Sequence, residues 1–443
     1  MKMHKRGITF HLGCVALLAA LLAFPFASTA QKLASAPIQG HTTTNSIKLW
    51  LMVKDAEKVR LVMREGIQGK GAKTVDISGT QFWKGYAPVT VEFLRLEPGK
   101  EYTLHIEVDG EPADEVYRMS TRTEDAAGGY DFLVGSCALY ATGIWKMAWP
   151  DKTRIFKSMA QQDTDLMLWL GDNVYLLFGE WEKAERFQKK YTKVRLDKHI
   201  NNFLQTRPQY AIWDDHDYGP DNSDGTFANK DATLANFQSF WPNPYFGTDK
   251  TAGIFSHFRY QDSEFFLLDD RYHRIMADHK QMLGPEQMAW LKEKLAASTA
   301  TFKFIAHGSQ VLNEANRHEC LAMFAEQDEL FDFIKSERID GVVFLSGDRH
   351  FTELLMEQPE DCYPFYEFTC SPLMSFIRKS TAKEKDPEYA NPQRVDGTLI
   401  CKRNYGQVSI SGPADDRVCT MTTYDKKGRK IWERQIRAED LRF

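Results

Sequence analysis

Positive charge is in deficit in this chain. Its 443 residues carry 56 Lys and Arg against 61 Asp and Glu, for a formal net charge of -5 and a pI near 6.2. Without a basic footprint there is no general grip on nucleic acid, so none is expected as an obligatory partner. An enzyme acting on anions must then draw positive charge locally, from metals or arginines. No apolar run reaches the ~20 residues that cross a bilayer. No Gly-x-Ser-x-Gly turn occurs, which removes the expectation of a covalent seryl intermediate. Internal repeats and low-complexity tracts are also missing. Cysteine is scarce, with seven residues.

What is present is a large apolar complement, 43% hydrophobic and 13% aromatic, enough for an extensive core and, at this length, two domains. The first 30 residues read as a targeting segment. Lys2, His4, Lys5 and Arg6 precede an apolar stretch from Leu12 to Phe26, and Ser28-Thr29-Ala30 offers small residues for cleavage before Gln31. Export to the periplasm or the extracellular space is expected, with no stable membrane span after cleavage; an uncleaved anchor is the competing reading. Cys14 leaves with this segment, and the compartment would permit disulfides among the other six cysteines.

Residues 31–122 are β-rich. Ser46 to Val53, Val59 to Met63, Val89 to Phe93 and Tyr102 to Val108 read as strands separated by short turns, as in a small β-sandwich without a catalytic cluster. Thr121 to Gly129 is the expected linker. From Tyr130 to residue 443, strands alternate with helical segments at Thr153 to Gln162, Trp181 to Leu196, Asp231 to Phe240, Pro285 to Ala297 and Glu326 to Glu337, which predicts an α/β domain. Gly253 to Asp269 reads as a hairpin.

The chemistry gathers where apolar strands stop. Leu166 to Trp169 runs into Leu170-Gly171-Asp172-Asn173-Val174-Tyr175. Ala211-Ile212-Trp213 runs into Asp214-Asp215-His216-Asp217, Gly341 to Gly347 into Asp348-Arg349-His350, and Phe132 to Gly135 into Ser136-Cys137. Four strand ends bearing Asp, His and Cys predict one shared metal site at the carboxyl ends of the strands. Asp172, read as lying on the most central strand, is the expected bridge between two ions. The thiolate of Cys137 and the phenolate of Tyr175 favour a strongly Lewis-acidic ion, ferric iron, over magnesium or calcium. His307, at the end of Phe304-Ile305-Ala306, is read as a ligand, a proton donor or a capped loop residue. Arg271 and Arg349 are read as phosphate-binding or as salt-bridge partners of a ligand carboxylate.

Ser136-Cys137, Gly171 to Tyr175, Trp213 to Asp217, Leu268-Asp269-Asp270-Arg271 and Ser346 to His350 together resemble the ordered motifs of the alkaline phosphatase D family, a branch of the calcineurin-like metallophosphoesterases. Residues 31–122 are similar to that family's fibronectin-like amino-terminal domain. The resemblance implies a four-layer α/β/β/α sandwich and a site with Fe(3+) and one or more Ca(2+). Carried over by motif, Cys137, Asp172 and Tyr175 bind the ferric ion, and Asp348 or His350 completes its shell. Asp215 serves the divalent ion, together with Asp348, Asp172 and Asn222. The chain departs from the family at Ala138, Asp217 and the stretch Ala306 to Gln310.

The charges agree with that assignment. Cys137, Tyr175, Asp172, Asp215 and Asp348, when deprotonated, contribute five negative charges, and one ferric ion with one calcium contributes five positive. The function expected is hydrolysis of a phosphate ester by a metal-bound hydroxide, with His216 or His307 protonating the leaving alkoxide. The alternatives are a phosphodiesterase for cell-wall polymers or phospholipids, and a secreted binding protein with a structural metal.

Overall fold

The strand Ser46–Lys54 explains how the front of the molecule is attached. From Leu49 to Val53 its sequence is wholly apolar, and both of its faces are buried there. Ile47, Leu49, Leu51 and Val53 face one hydrophobic core, while Trp50 and Met52 belong to another, the large core of the rest of the chain. A strand covered on both sides shows no inside-outside alternation. The computed structural model describes residues 32–80, 82–123, 128–140, 152–277 and 279–443. The targeting segment and its Cys14 lie outside these residues, as does part of the expected linker.

Ser46–Lys54 pairs antiparallel with Leu33–Thr42 and Tyr86–Leu94. A second sheet joins Lys58–Glu65 to Gln68–Asp76 and to Glu101–Val108, which also pairs with Tyr117–Ser120. In Lys58–Glu65 and Glu101–Val108 every second residue is buried. Val59, Leu61, Met63, Leu104 and Ile106 therefore meet the inner face of Ser46–Lys54 in one core. All four strands expected from the sequence are present, and Leu33–Thr42, Gln68–Asp76 and Tyr117–Ser120 are additional.

The remaining residues form two six-stranded sheets. In the first, Gln209–Ile212, Leu166–Leu170 and Tyr130–Gly135 run parallel. Asn404–Ser411, Val418–Asp425 and Lys430–Arg437 continue that sheet as an antiparallel meander. Leu166–Leu170 is thus second from an edge rather than most central, because the meander extends the sheet on the far side of Tyr130–Gly135. In the second sheet Ser263–Leu267, Phe302–His307, Val342–Ser346 and Phe365–Thr369 are parallel, with Ser256–Tyr260 and Glu353–Glu357 antiparallel at its edges. Phe132 of the first sheet lies 5.1 Å from Phe265 and 5.2 Å from Phe304 of the second, both edge-on, an arrangement that aromatic quadrupoles favour.

Helices Ala184–Arg195, Lys230–Phe240, Pro285–Ala297 and Ala325–Ser336 fall where periodicity places them. The expected Thr153 to Gln162 contracts to Ile155–Met159, and Lys198–Leu204, capped by the Asp197 side chain, is an additional helix. The expected hairpin is present as Ser256–Tyr260 with Ser263–Leu267. All six described cysteines are unpaired. Among the described residues no helix is long and apolar enough to cross a membrane.

Candidate functional site

Two glycines let the strand ends converge. A Cβ on Gly347 would lie 2.3 Å from the carbonyl oxygen of Leu170, and one on Gly171 would lie 2.7 Å from Cβ of Asp214. Only hydrogen fits at either position, so the ends of Leu166–Leu170, Gln209–Ile212 and Val342–Ser346 come together without side chains between them. The loops beyond them are bent sharply. Cys137, Asp172, Asn222, Asp348 and His350 all have φ between 55° and 62°, a region that costs a non-glycine residue about 1–2 kcal/mol. The same uncommon backbone conformation thus recurs at five candidate ligands.

Cys137, Asp172 and His350 form one group of metal-type donors, and Asp172, Asp215 and His216 form another; within each, the donor atoms lie within 4.8 Å of one another. Asp172 belongs to both. Sγ of Cys137 is 3.6 Å from Oδ2 of Asp172 and accepts from the Ser371 hydroxyl at 3.0 Å. The Tyr175 hydroxyl lies 2.9 Å from Nε2 of His350, and its ring stacks on that of His216 at 4.1 Å. Oδ1 of Asp172 accepts from the backbone N–H of His216 at 3.2 Å. Oδ2 of Asp215 accepts from that of Asn222 at 2.7 Å. Asp172, Asp215, His216, Asn222, Asp348 and His350 line one cleft of about 280 Å³, joined by Arg349 and Arg378.

The electrostatics of this cluster call for cations. Burial pushes the Cys137 thiol up to about 12, with Asp348 adding to the effect. Burial, then Asp172 and Cys137, raises Tyr175 well above its ordinary value. Burial, then Asp215 and Cys137, lifts Asp172 far out of the carboxylate range. Asp348 is raised by burial as well. Each of these groups would hold its proton in an uncompensated cluster, whereas a multivalent cation inverts that preference. Asp215 is the exception. Burial opposes its ionisation, but the charges of His216 and Arg271 and the Asn222 amide outweigh burial and hold it at about 2. Burial, then His216, pushes His350 down to about 4, leaving a neutral imidazole suited to ligation. The donor set of thiol, phenol, carboxylates and neutral imidazole therefore fits a strongly Lewis-acidic, multivalent metal centre.

Two expected residues are placed elsewhere. Arg271 is fully buried and does not line the cleft. Its Nε donates to Asp214 at 2.6 Å and its Nη1 to Glu319 at 2.9 Å, so it is held by acids behind the Asp215 loop, the salt-bridge alternative. His307 is fully buried, with Nδ1 2.7 Å from the Ser309 carbonyl oxygen. It belongs to the inner packing near Asp270, 3.9 Å away, and not to the cleft. Arg349 takes the salt-bridge alternative, with Nη1 3.5 Å from Asp348 and Nη2 paired to the buried Glu388.

Arg378 and Ser371 are residues at the site that no sequence motif marks, and Asp217, part of the motif Trp213 to Asp217, has a supporting place there that its sequence does not indicate. Arg378 lines the cleft and pairs with Glu388 at 3.0 Å. Asp217 sits beneath the Asp172 loop and accepts from the backbone N–H groups of Asn173 at 3.0 Å and Val174 at 2.8 Å. A capping box at Asp214 and Asp217 fixes the same turn. Its only sequence signal is the acidic spacing in Asp214-Asp215-His216-Asp217.

Comparison with known proteins agrees with this geometry. The chain is 22% identical over 329 residues to alkaline phosphatase D of Bacillus subtilis (strain 168), an alignment that takes in 57% of this chain and 54% of the relative. It spans about half the length of that curated relative. Its fold matches the solved structure of PhoD with a TM-score of 0.74, covering 92% of each chain at 17% identity. It also matches purple acid phosphatase PPD1 from yellow lupin (Lupinus luteus) seeds, with a TM-score of 0.62, covering 91% of this chain and 74% of that one at 12% identity. At such identities these matches speak for the fold alone, which is mixed α/β with several sheets. The family model described as PhoD-like phosphatase matches residues 132–411, a span that contains every candidate ligand, and the chain therefore belongs to the PhoD-like phosphatase family.

Proposed function

We propose that the chain is an exported, metal-dependent phosphoesterase acting in the manner of alkaline phosphatase D. The observation that carries this reading is the position of Asp172 in two donor groups at once within a single cleft. Residues 31–122 would be a separate fibronectin-like domain, and residues 130–443 a catalytic domain of four α/β/β/α layers. The two six-stranded sheets support the latter, and the basic-then-apolar first 30 residues support export.

Cys137, Asp172 and Tyr175, with His350 or Asp348, would hold Fe(3+). Asp215, Asn222 and Asp348, sharing Asp172, would hold Ca(2+). A bound pair of this kind supplies Lewis acidity for the phosphate oxygens and an activated water. The chain's own groups do the rest. Arg378, about one-third exposed, reaches phosphate oxygens from the cleft wall. His216, with Nε2 3.5 Å from Asp221, stands at the cleft to hand a proton to the leaving alkoxide. The buried Asp217 keeps the Asp172 loop in its strained shape.

A phosphodiesterase acting on cell-wall polymers or phospholipids is the second reading. The half-exposed Phe376 on the cleft wall favours it, since it offers apolar surface to a second ester group. Elemental analysis of the purified protein, beside hydrolysis of a chromogenic phosphomonoester and phosphodiester, tests both. Iron with calcium and turnover of at least one ester are expected. Zinc as the sole stoichiometric metal would overturn the metal assignment, and a metal-loaded protein that hydrolyses neither ester would leave only a structural metal site.

A further inference from the structure

A second cavity lies at the other end of the strands that build the cleft. It is larger, about 630 Å³. Asp165 and Pro208 on its wall immediately precede the strands Leu166–Leu170 and Gln209–Ile212, whose carboxyl ends carry Asp172 and Asp215. A five-residue strand separates the two places by roughly 16 Å, and they share no lining residue.

Among the described residues, four arginines and one acid line this cavity. Arg118 pairs with Glu101 at 2.5 Å, but among the described residues the other three are met without a carboxylate. Arg122 donates from Nη1 to the Arg259 carbonyl oxygen at 2.6 Å and lies over the Tyr260 ring at 4.9 Å, and its buried Nε has no partner. Arg259 donates to the Gln261 carbonyl oxygen at 2.9 Å and the Thr299 hydroxyl at 3.1 Å. Arg207 donates to the carbonyl oxygens of Met159 at 3.1 Å and Gln162 at 2.9 Å. The single acid, Asp165, is already engaged, accepting from the Asp131 N–H at 2.9 Å and the Tyr260 hydroxyl at 3.1 Å.

Arg207 spends its Nε, Nη1 and Nη2 on Thr206, Thr164 and the two carbonyl oxygens, whereas Arg122 and Arg259 bring guanidinium charge to the cavity that no carboxylate among the described residues neutralises, a charge that an anion would balance. Guanidinium N–H groups match the spacing of phosphate, sulfate and carboxylate oxygens, and the rest of the wall is largely polar, with Thr42, Thr121 and Gln205 among its side chains. We propose that this cavity binds a small soluble oxyanion carrying at least two phosphate, sulfate or carboxylate groups, at a site independent of the metals. The inference does not rest on the proposed catalytic function.

The test is calorimetric titration of the full-length, metal-loaded protein with naphthalene disulfonate, which is no phosphate ester and a poor chelator. Saturable one-to-one binding that weakens with salt is expected. It should fall about tenfold in Arg122→Gln and in Arg259→Gln, the worth of a charged hydrogen bond, and recover in part in Arg259→Lys. Turnover of a chromogenic phosphomonoester should not change in any of them. Protection of Arg122 and Arg259 from phenylglyoxal by the disulfonate, read by mass spectrometry on the unaltered chain, gives the same answer should the variants misfold. Lack of saturable binding at millimolar probe, binding undiminished in a folded double variant, or lack of protection would each overturn the site.

Discussion

The Tyr175 hydroxyl stands 2.9 Å from Nε2 of His350, and this contact joins the loop after Leu166–Leu170 in one sheet to the loop after Val342–Ser346 in the other. With Cys137 it places the only phenol of the donor set against a neutral imidazole. Tyr175→Phe should therefore remove the phenolate-to-iron band from the visible spectrum while the protein stays folded. A coloured Tyr175→Phe enzyme with an unshifted band would show that the phenol is not a ligand.

Asp172→Asn should leave the fold intact and lower turnover by at least about a hundredfold, near 2.7 kcal/mol in the barrier. The carboxylate belongs to both donor groups, and an amide has neither the charge nor the second anionic oxygen to serve them. Steady-state assays beside metal analysis check this, and activity within about tenfold of the unaltered enzyme would remove Asp172 from the centre of the site.

Trp50→Ala tests how the front sandwich is held. The indole is fully buried in the core it shares with the large sheets. Its Nε1 donates to the Ser239 carbonyl oxygen at 2.8 Å, and its ring lies 5.8 Å from Phe240. Loss of about 3–5 kcal/mol of stability is expected, with metal content unchanged in the protein that remains folded. A melting temperature close to that of the unaltered chain would show that the two regions do not depend on this contact.

The residues legible in the sequence are those for which a ligand-type side chain stands just beyond the carboxyl end of a buried apolar strand. Cys137, Asp172, Asp215, Asp348 and His350 all met that condition and all converge. Arg271 and His307 met a weaker form of it, since each follows an apolar strand, but their side chains turn inward to Asp214, Glu319 and Ser309 rather than toward the cleft. Strand period does not encode which way a terminal residue turns. Arg378 and Ser371 lie in loops without period, so only the folded chain reveals them. Ser46–Lys54 was recognisable as a strand, but its second buried face was not, because what covers it comes from Phe240 and other residues distant in sequence.

Glu367 carries a pH dependence outside the cleft. It is fully buried, and burial pushes it up to about 7 despite the backbone N–H groups of Val311 at 2.8 Å and Leu312 at 2.7 Å. A carboxyl whose folded value exceeds its unfolded one binds more protons when folded, so its contribution is complete below the unfolded value and is lost as pH rises toward 7. Stability should fall between about pH 4.5 and 7 with a slope of at most ~1.4 kcal/mol per pH unit from this group. Glu367→Gln should flatten that window in urea titrations at several pH values, and an unchanged slope would assign the effect to other groups.

Cys137 and Cys370 are both fully buried, and burial pushes both thiols up to about 12, so burial alone predicts the same behaviour for each. Their neighbours differ. Sγ of Cys137 lies 3.6 Å from Asp172, the carboxylate shared by both donor groups, while Sγ of Cys370 donates to the Val134 carbonyl oxygen at 3.4 Å within the sheet packing. Serine holds its proton far more tightly than cysteine and is a poor substitute for a thiolate ligand. Cys137→Ser should therefore lose iron, shift the visible band and lose activity in proportion, with little recovery on adding calcium. Cys370→Ser should keep its iron and spectrum and show only a modest loss of stability. Full iron with an unchanged spectrum in Cys137→Ser would make that residue an ordinary buried thiol. Selective loss of iron in Cys370→Ser would mean that the metal is held from the other side of the Tyr130–Gly135 strand.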